Sequence, residues 1–151
     1  MRTRPARSCR LTIATVLTVA ALASCGGDDS DVTTTPAPAA SAAPVFELID
    51  ATAAQQLIAA PPAGLVVLDV RTPEEFATGH LPGAIDLDAR SDTFTDELAQ
   101  LDREVPYLVY CHSGNRSAAA VATMRELGFT RVSELDGGIT AWQFAGIPIT
   151  T

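Results

Sequence analysis

The 151-residue chain contains no lysine, and its positive charge rests on ten arginines. Four of them, Arg2, Arg4, Arg7 and Arg10, precede residue 11, whereas all eighteen acidic residues follow residue 27. Beyond the N-terminus six arginines therefore oppose eighteen carboxylates. A surface of that sign repels phosphate backbones and anionic lipid, which argues against nucleic acid as a partner. The lack of lysine beside abundant alanine and arginine fits a GC-rich bacterial genome. Cysteine is equally sparse. Cys9, Cys25 and Cys111 are too few and too scattered for a disulfide framework. With only His80 and His112 besides, no metal-ligand spacing exists. No internal repeat is visible, and the length suits one domain with extensions.

A long apolar run is also missing. The longest, residues 11–23 (LTIATVLTVAALA), has thirteen residues and follows a basic segment. That is short for a membrane-spanning helix and typical of a signal-peptide core. It ends in Leu22-Ala23-Ser24-Cys25, which resembles the bacterial lipobox, where small residues precede a cysteine that is diacylated and becomes the new N-terminus. An ordinary secretory signal with an incidental Cys25 is the plainer alternative, but charge, length and cleavage box agree on the lipoprotein. Residues 1–24 are expected to be a signal peptide, removed together with Cys9. Cys25 is the expected lipidation site, holding the protein to the cell membrane on its extracytoplasmic face. Residues 25–44, with Pro36, Pro38 and Pro44 and no aromatic side chain, read as a disordered tether. Residues 45–151 read as the folded domain.

Within that domain, strand and helix signals alternate. Val45–Ile49 is a short apolar stretch, and Asp50 is placed to cap a helix over Ala51–Ala60 that turns Leu57 and Ile58 inward. Leu65–Val70 and Tyr107–Tyr110 are continuous apolar runs of the kind buried on both faces of a parallel sheet. Thr72-Pro73-Glu74-Glu75 carries a capping box. Ala84–Leu87 reads as a short strand, and Ser91 or Asp92 as the cap of a helix through Leu101. Ser117–Leu127 reads as a helix stopped by Gly128. Arg131–Leu135 is a last strand, followed by the Gly137-Gly138 turn and a helix over Ile139–Phe144. The fold class is α/β, a mostly parallel central sheet with helices on both faces. Sites in such folds lie at the carboxyl ends of strands, where Cys111 falls.

Cys111 opens the segment Cys111-His112-Ser113-Gly114-Asn115-Arg116-Ser117. A tight loop containing glycine can aim several backbone N–H groups at one point, and the following helix adds its positive end there. A thiol at that point ionises more readily, and the thiolate is the nucleophile. Arg116 offers a planar fork to an oxyanion or to loop carbonyls. A lone cysteine at a strand end is usually a small buried hydrophobe, and an arginine at a helix start can be a plain surface charge. The loop pattern argues against both plain readings.

Three segments resemble the rhodanese superfamily. The first is Leu68-Asp69-Val70-Arg71-Thr72-Pro73-Glu74-Glu75-Phe76, continuing through Gly79-His80-Leu81-Pro82-Gly83-Ala84. The second, Cys111 to Arg116, matches the C-x-x-G-x-R active loop. The third is Leu135-Asp136-Gly137-Gly138-Ile139 with Trp142, Gly146 and Pro148. The resemblance implies a sulfurtransferase. Cys111 would take a sulfane sulfur from a small donor such as thiosulfate as a persulfide and pass it to a thiophilic acceptor such as cyanide or a thiol. It implies no cofactor. Loop N–H groups from His112 to Ser117 would hold the anion, which makes His112, Ser113, Gly114, Asn115, Arg116 and Ser117 the expected substrate-binding residues. It further implies that Asp69 and Arg71 brace neighbouring loops.

His80 reads as a structural hydrogen-bonder, Trp142 as core, and Asn115-Arg116-Ser117 as a chance glycosylation match. Two other functions stay open. One is a catalytically idle rhodanese fold used as a binding module, which retention of Cys111, Gly114 and Arg116 argues against. The other is a phosphatase or arsenate reductase, whose loop in the related families is one residue longer.

Overall fold

A computed structural model describes residues 43–151 of the chain. The expectations for residues 1–24, for Cys25 and for nearly all of the tether lie outside the described residues. Elements alternate strictly: β1 (Val45–Ile49), α1 (Ala51–Ala59), β2 (Val66–Asp69), α2 (Pro73–Ala77), β3 (Ala84–Asp86), α3 (Phe94–Ala99), β4 (Pro106–Tyr110), α4 (Asn115–Glu126), β5 (Arg131–Leu135) and α5 (Gly138–Phe144). The five strands form one sheet in the order β1-β5-β4-β2-β3, and every pairing is parallel. Val45–Ile49, read only as an apolar stretch, is the edge strand beside β5.

The strands split the core by their two-residue period. On one face Leu68, Tyr107, Val109 and Val132 pack with Phe94 and Leu98 of α3 and Ala120 and Met124 of α4. On the other, Val67, Leu108, Tyr110 and Leu135 pack with Ala51 and Ala54 of α1 and Ile139 and Trp142 of α5. All five residues of the central strand β4 are buried, as its unbroken apolar run requires. Leu57 and Ile58 pack against the second cluster.

Local capping signals meet three outcomes. Asp50 accepts the Ala53 N–H at 2.8 Å, and the Thr72/Glu75 capping box forms in full. Neither Ser91 nor Asp92 caps α3. The Ser91 hydroxyl is spent on the Thr93 hydroxyl and N–H, and the N-cap is Thr93, whose own hydroxyl donates to the Glu97 carboxylate and makes no side-chain cap bond. The helix after the cysteine loop starts at Asn115, two residues earlier than Ser117. Gly114 takes φ +100°, a left-handed value that costs glycine little, and this turns the chain into the helix sooner.

Candidate active site

Cys111 follows the last residue of β4, between the carboxyl ends of β5 and β2. What fixes the loop is the neighbouring start of α5. Ile139 N–H donates to the Cys111 carbonyl at 2.9 Å, and Thr140 donates to the His112 carbonyl through its N–H (3.1 Å) and its hydroxyl (2.8 Å). With both carbonyls drawn toward α5, the next N–H groups are free to face the sulfur. The packing is tight enough that a Cβ on Gly138, at φ +59°, would collide with the Cys111 carbonyl oxygen and come within 2.8 Å of the His112 carbonyl. Gly138 is therefore part of the site's frame.

Hydrogen bonds converge on the sulfur. Gly114 N–H donates to Cys111 Sγ at 3.2 Å, and the Ser117 hydroxyl lies 3.6 Å from it. Cys111 is only 1% exposed, and burial alone pushes the thiol up. The Ser117 hydroxyl and the backbone N–H groups of Ser117, Ser113 and Gly114 outweigh that cost and leave the thiol below its ordinary range. The glycine and the helix start thus bring N–H groups around a buried sulfur.

The expected ring of binding residues divides. Gly114 and Ser117 touch the sulfur, and Ser113 supplies an N–H toward it. His112 and Asn115 are exposed, and their side chains make no hydrogen bond among the described residues. Arg116 does not hold an open fork. Its Nη1 and Nη2 donate to Glu75 Oε2 and Oε1 at 2.7 and 2.8 Å, a bidentate pair across 41 residues of sequence. Glu75 is also the carboxylate that closes the α2 capping box, so one side chain caps α2 and holds the first turn of α4. The Arg116 bonds bring its carboxyl down to about 2, against an ordinary 4.5.

The sequence reading saw Glu75 only as a cap. Opposite charges in two motif segments were the available signal. Glu134 on β5, which accepts the Ser117 hydroxyl at 2.8 Å, was also missed, and no local pattern marks it.

The folded-state carboxyl of Glu75 lies below its unfolded value, so the pair stabilises the fold above pH 4.5 and this contribution fades as pH falls toward 2. Glu75→Gln is expected to cost about 1 kcal/mol at pH 7, the upper part of the range for a partly exposed ion pair, because the geometry is bidentate. In urea titrations the gap between wild type and variant should close between pH 4.5 and 2. A gap independent of pH would mean that the pair contributes packing rather than charge.

Behind the loop, Asp69 and Arg71 form a buried brace. Arg71 Nε lies 2.9 Å from both Asp69 oxygens, and Nη2 lies 2.6 Å from Oδ2 and 2.7 Å from the Gly79 carbonyl. The two side chains are 4% and 0% exposed. His80 stacks on Phe76 at 3.9 Å and pairs its backbone with Thr150. Trp142 is buried, with Nε1 donating to the Pro148 carbonyl at 3.0 Å.

Comparison with known proteins agrees with this geometry. Residues 50–145 match the family model for the rhodanese-like domain. The chain is 38% identical over 89 residues to the thiosulfate sulfurtransferase GlpE of Pseudomonas entomophila, covering 59% of this chain and 80% of that one. Its fold is similar to a rhodanese-related protein from Thermoplasma volcanium, with a TM-score of 0.60, 33% identity and coverage of 69% of this chain and 97% of the other. It is also similar, with a TM-score of 0.56 and 29% identity over 70% of this chain and 85% of the other, to a Rhodopseudomonas palustris protein of unknown function described as a possible tyrosine phosphatase.

Proposed function

The chain belongs to the rhodanese-like domain family, and from that premise we propose that it is a sulfurtransferase that moves a sulfane sulfur from a thiosulfate-type donor to a thiophilic acceptor through a Cys111 persulfide. The observation that carries this reading is the convergence of the Ser117 hydroxyl and the Gly114 N–H on a buried sulfur whose thiol is held below its ordinary range. The thiolate attacks the sulfane sulfur of thiosulfate. A new S–S bond forms, the bond to the sulfonate sulfur breaks, and sulfite leaves with the electron pair. Cyanide or a thiolate then takes the outer sulfur and returns the electron pair to Cys111. No redox partner and no net proton are needed.

A persulfide projects its outer sulfur about 2 Å beyond Sγ, which carries the reacting atom outward from a nearly inaccessible position. The N–H groups of Ser113, Gly114 and Ser117 hold the anion in both states. The exposed side chains of His112 and Asn115 form the rim that a donor meets. Arg116, tied to Glu75, lends positive field at the loop and fixes its helix start, rather than offering a free fork. The six residues from Cys111 to Arg116 also favour sulfur over a tetrahedral phosphate or arsenate.

The test is thiocyanate formation from thiosulfate and cyanide by the soluble domain. The expected result is a double-displacement pattern, in which the two substrates give parallel double-reciprocal lines. Phosphatase turnover without thiocyanate would overturn the reading.

The Cys25 lipid anchor belongs to the same proposal and rests on the charged, apolar and lipobox segments in series. Cys25→Ser is expected to move the protein out of the membrane fraction. A variant that stays membrane-bound with residues 1–24 intact would show a different kind of attachment.

A further inference from the structure

Sulfur transfer as described makes no use of Glu134, yet this partly buried carboxylate stands one hydrogen bond from the group that touches the nucleophile. Glu134 Oε1 lies 2.8 Å from the Ser117 hydroxyl. The same hydroxyl is 2.9 Å from the Gly114 carbonyl and 3.6 Å from Cys111 Sγ. Ser117 is fully buried, so water does not supply a substitute. A hydroxyl has one proton to donate, and here three acceptors compete for it.

We propose that Glu134 is a positioning residue that sets the acidity of Cys111 through Ser117. When Glu134 is ionised, it competes for the Ser117 proton and weakens that donor to the sulfur. When Glu134 is protonated, its own O–H donates to Ser117 Oγ, and the Ser117 proton turns to the charged sulfur in preference to the neutral Gly114 carbonyl. The chain Cys111–Ser117–Glu134 thereby favours one negative charge, on sulfur or on carboxylate, over two. This deepens the sulfurtransferase reading and rests on it for its catalytic meaning, although the thiol's acidity can be read without any turnover.

The surroundings of Glu134 suit such a role. Its register partners on β1 and β4 are Leu48 and Val109, both apolar. Glu134 lines a shallow cavity together with Arg125 of α4, but the Arg125 guanidinium lies 4.3 Å over the Phe46 ring and makes no ion pair with Glu134. Glu47 lines that cavity too, with its carboxylate accepting the Ser133 hydroxyl at 2.8 Å. Asp136, just past β5, adds negative charge. Burial pushes the Glu134 carboxyl up, the Ser117 bond pulls it partly back, and Asp136 pushes it up again, leaving it above the usual carboxylate range.

The experiment is a thiolate titration, by iodoacetamide alkylation rate against pH, of wild type, Glu134→Gln, Ser117→Ala and the double variant. Gln donates an amide N–H to Ser117 Oγ much as the protonated acid would, without charge. Glu134→Gln should therefore raise the alkylation rate at pH 6 about tenfold, one pH unit's worth of thiolate. Ser117→Ala should lower it, and in that background Glu134→Gln should have less than about a third of its effect on a logarithmic scale. In the wild type, the Glu134 carboxyl 13C shift should titrate with a second inflection at the midpoint of Cys111. A rate unchanged by Glu134→Gln, or changed equally with and without the Ser117 hydroxyl, would overturn the proposal. A wild type that titrates as expected but never forms thiocyanate would instead sink the sulfurtransferase reading and leave the coupling standing.

Discussion

Cys111→Ser is expected to abolish sulfur transfer, with activity falling at least about a thousandfold to background. Cys111 is the only cysteine in the folded domain, so no second thiol can take over. A serine hydroxyl at this position ionises far above any working pH, and oxygen forms no stable counterpart of a persulfide. The substitution removes little volume, and the Gly114 N–H that faced the sulfur keeps an acceptor. The variant should therefore fold with nearly unchanged urea midpoint. Circular dichroism of the variant should match that of the wild type.

Asp69→Ala is expected to produce the largest loss of stability of any single change near the site, about 3–5 kcal/mol. Arg71 is 3% exposed as a residue and holds its charge against Asp69 and the Gly79 carbonyl. Removing Asp69 leaves that charge buried with no counter-ion, beside only the Gly79 carbonyl and the Tyr110 side chain. It also frees the Arg71 N–H, which donates to Asp69 Oδ1 at 3.0 Å. A domain of this size has roughly 5–15 kcal/mol in all, so the variant should unfold at much lower urea. Asp69→Leu combined with Arg71→Met should recover most of the loss, because an apolar pair replaces the ion pair without leaving a charge. A single variant within about 1 kcal/mol of wild type would mean that Arg71 reaches water, contrary to its burial.

These two residues also mark what the sequence makes legible. Asp69 and Arg71 sit in a contiguous motif at the end of a strand visible from its apolar run, and their bracing role is what the resemblance of that motif to the rhodanese superfamily implies. The thiol loop was legible for the same reason, since Gly114, the strand end and the helix start all lie within six residues of Cys111. Two parts of the site were not. Arg116 looked like an open fork because nothing local says that Glu75 will face it. That contact exists because the parallel register sets Asp69 opposite Tyr110, bringing the first turn of α2 beside that of α4. Glu134 reaches Ser117 only through the pairing of β5 with β4. Helix starts departed from expectation where one local detail decided them. Gly114 at φ +100° starts α4 two residues early, and the Ser91 hydroxyl is diverted to Thr93 before it can cap α3.

Sulfur transfer through Cys111 requires one covalent event. The soluble domain, reduced and then treated with thiosulfate, should gain the mass of one sulfur atom in an intact-mass measurement, with the addition mapped to the peptide containing Cys111. Brief exposure to cyanide should remove it. A domain that keeps its unmodified mass with thiosulfate and with other sulfane donors, while remaining folded, would contradict the persulfide and make the fold a binding module.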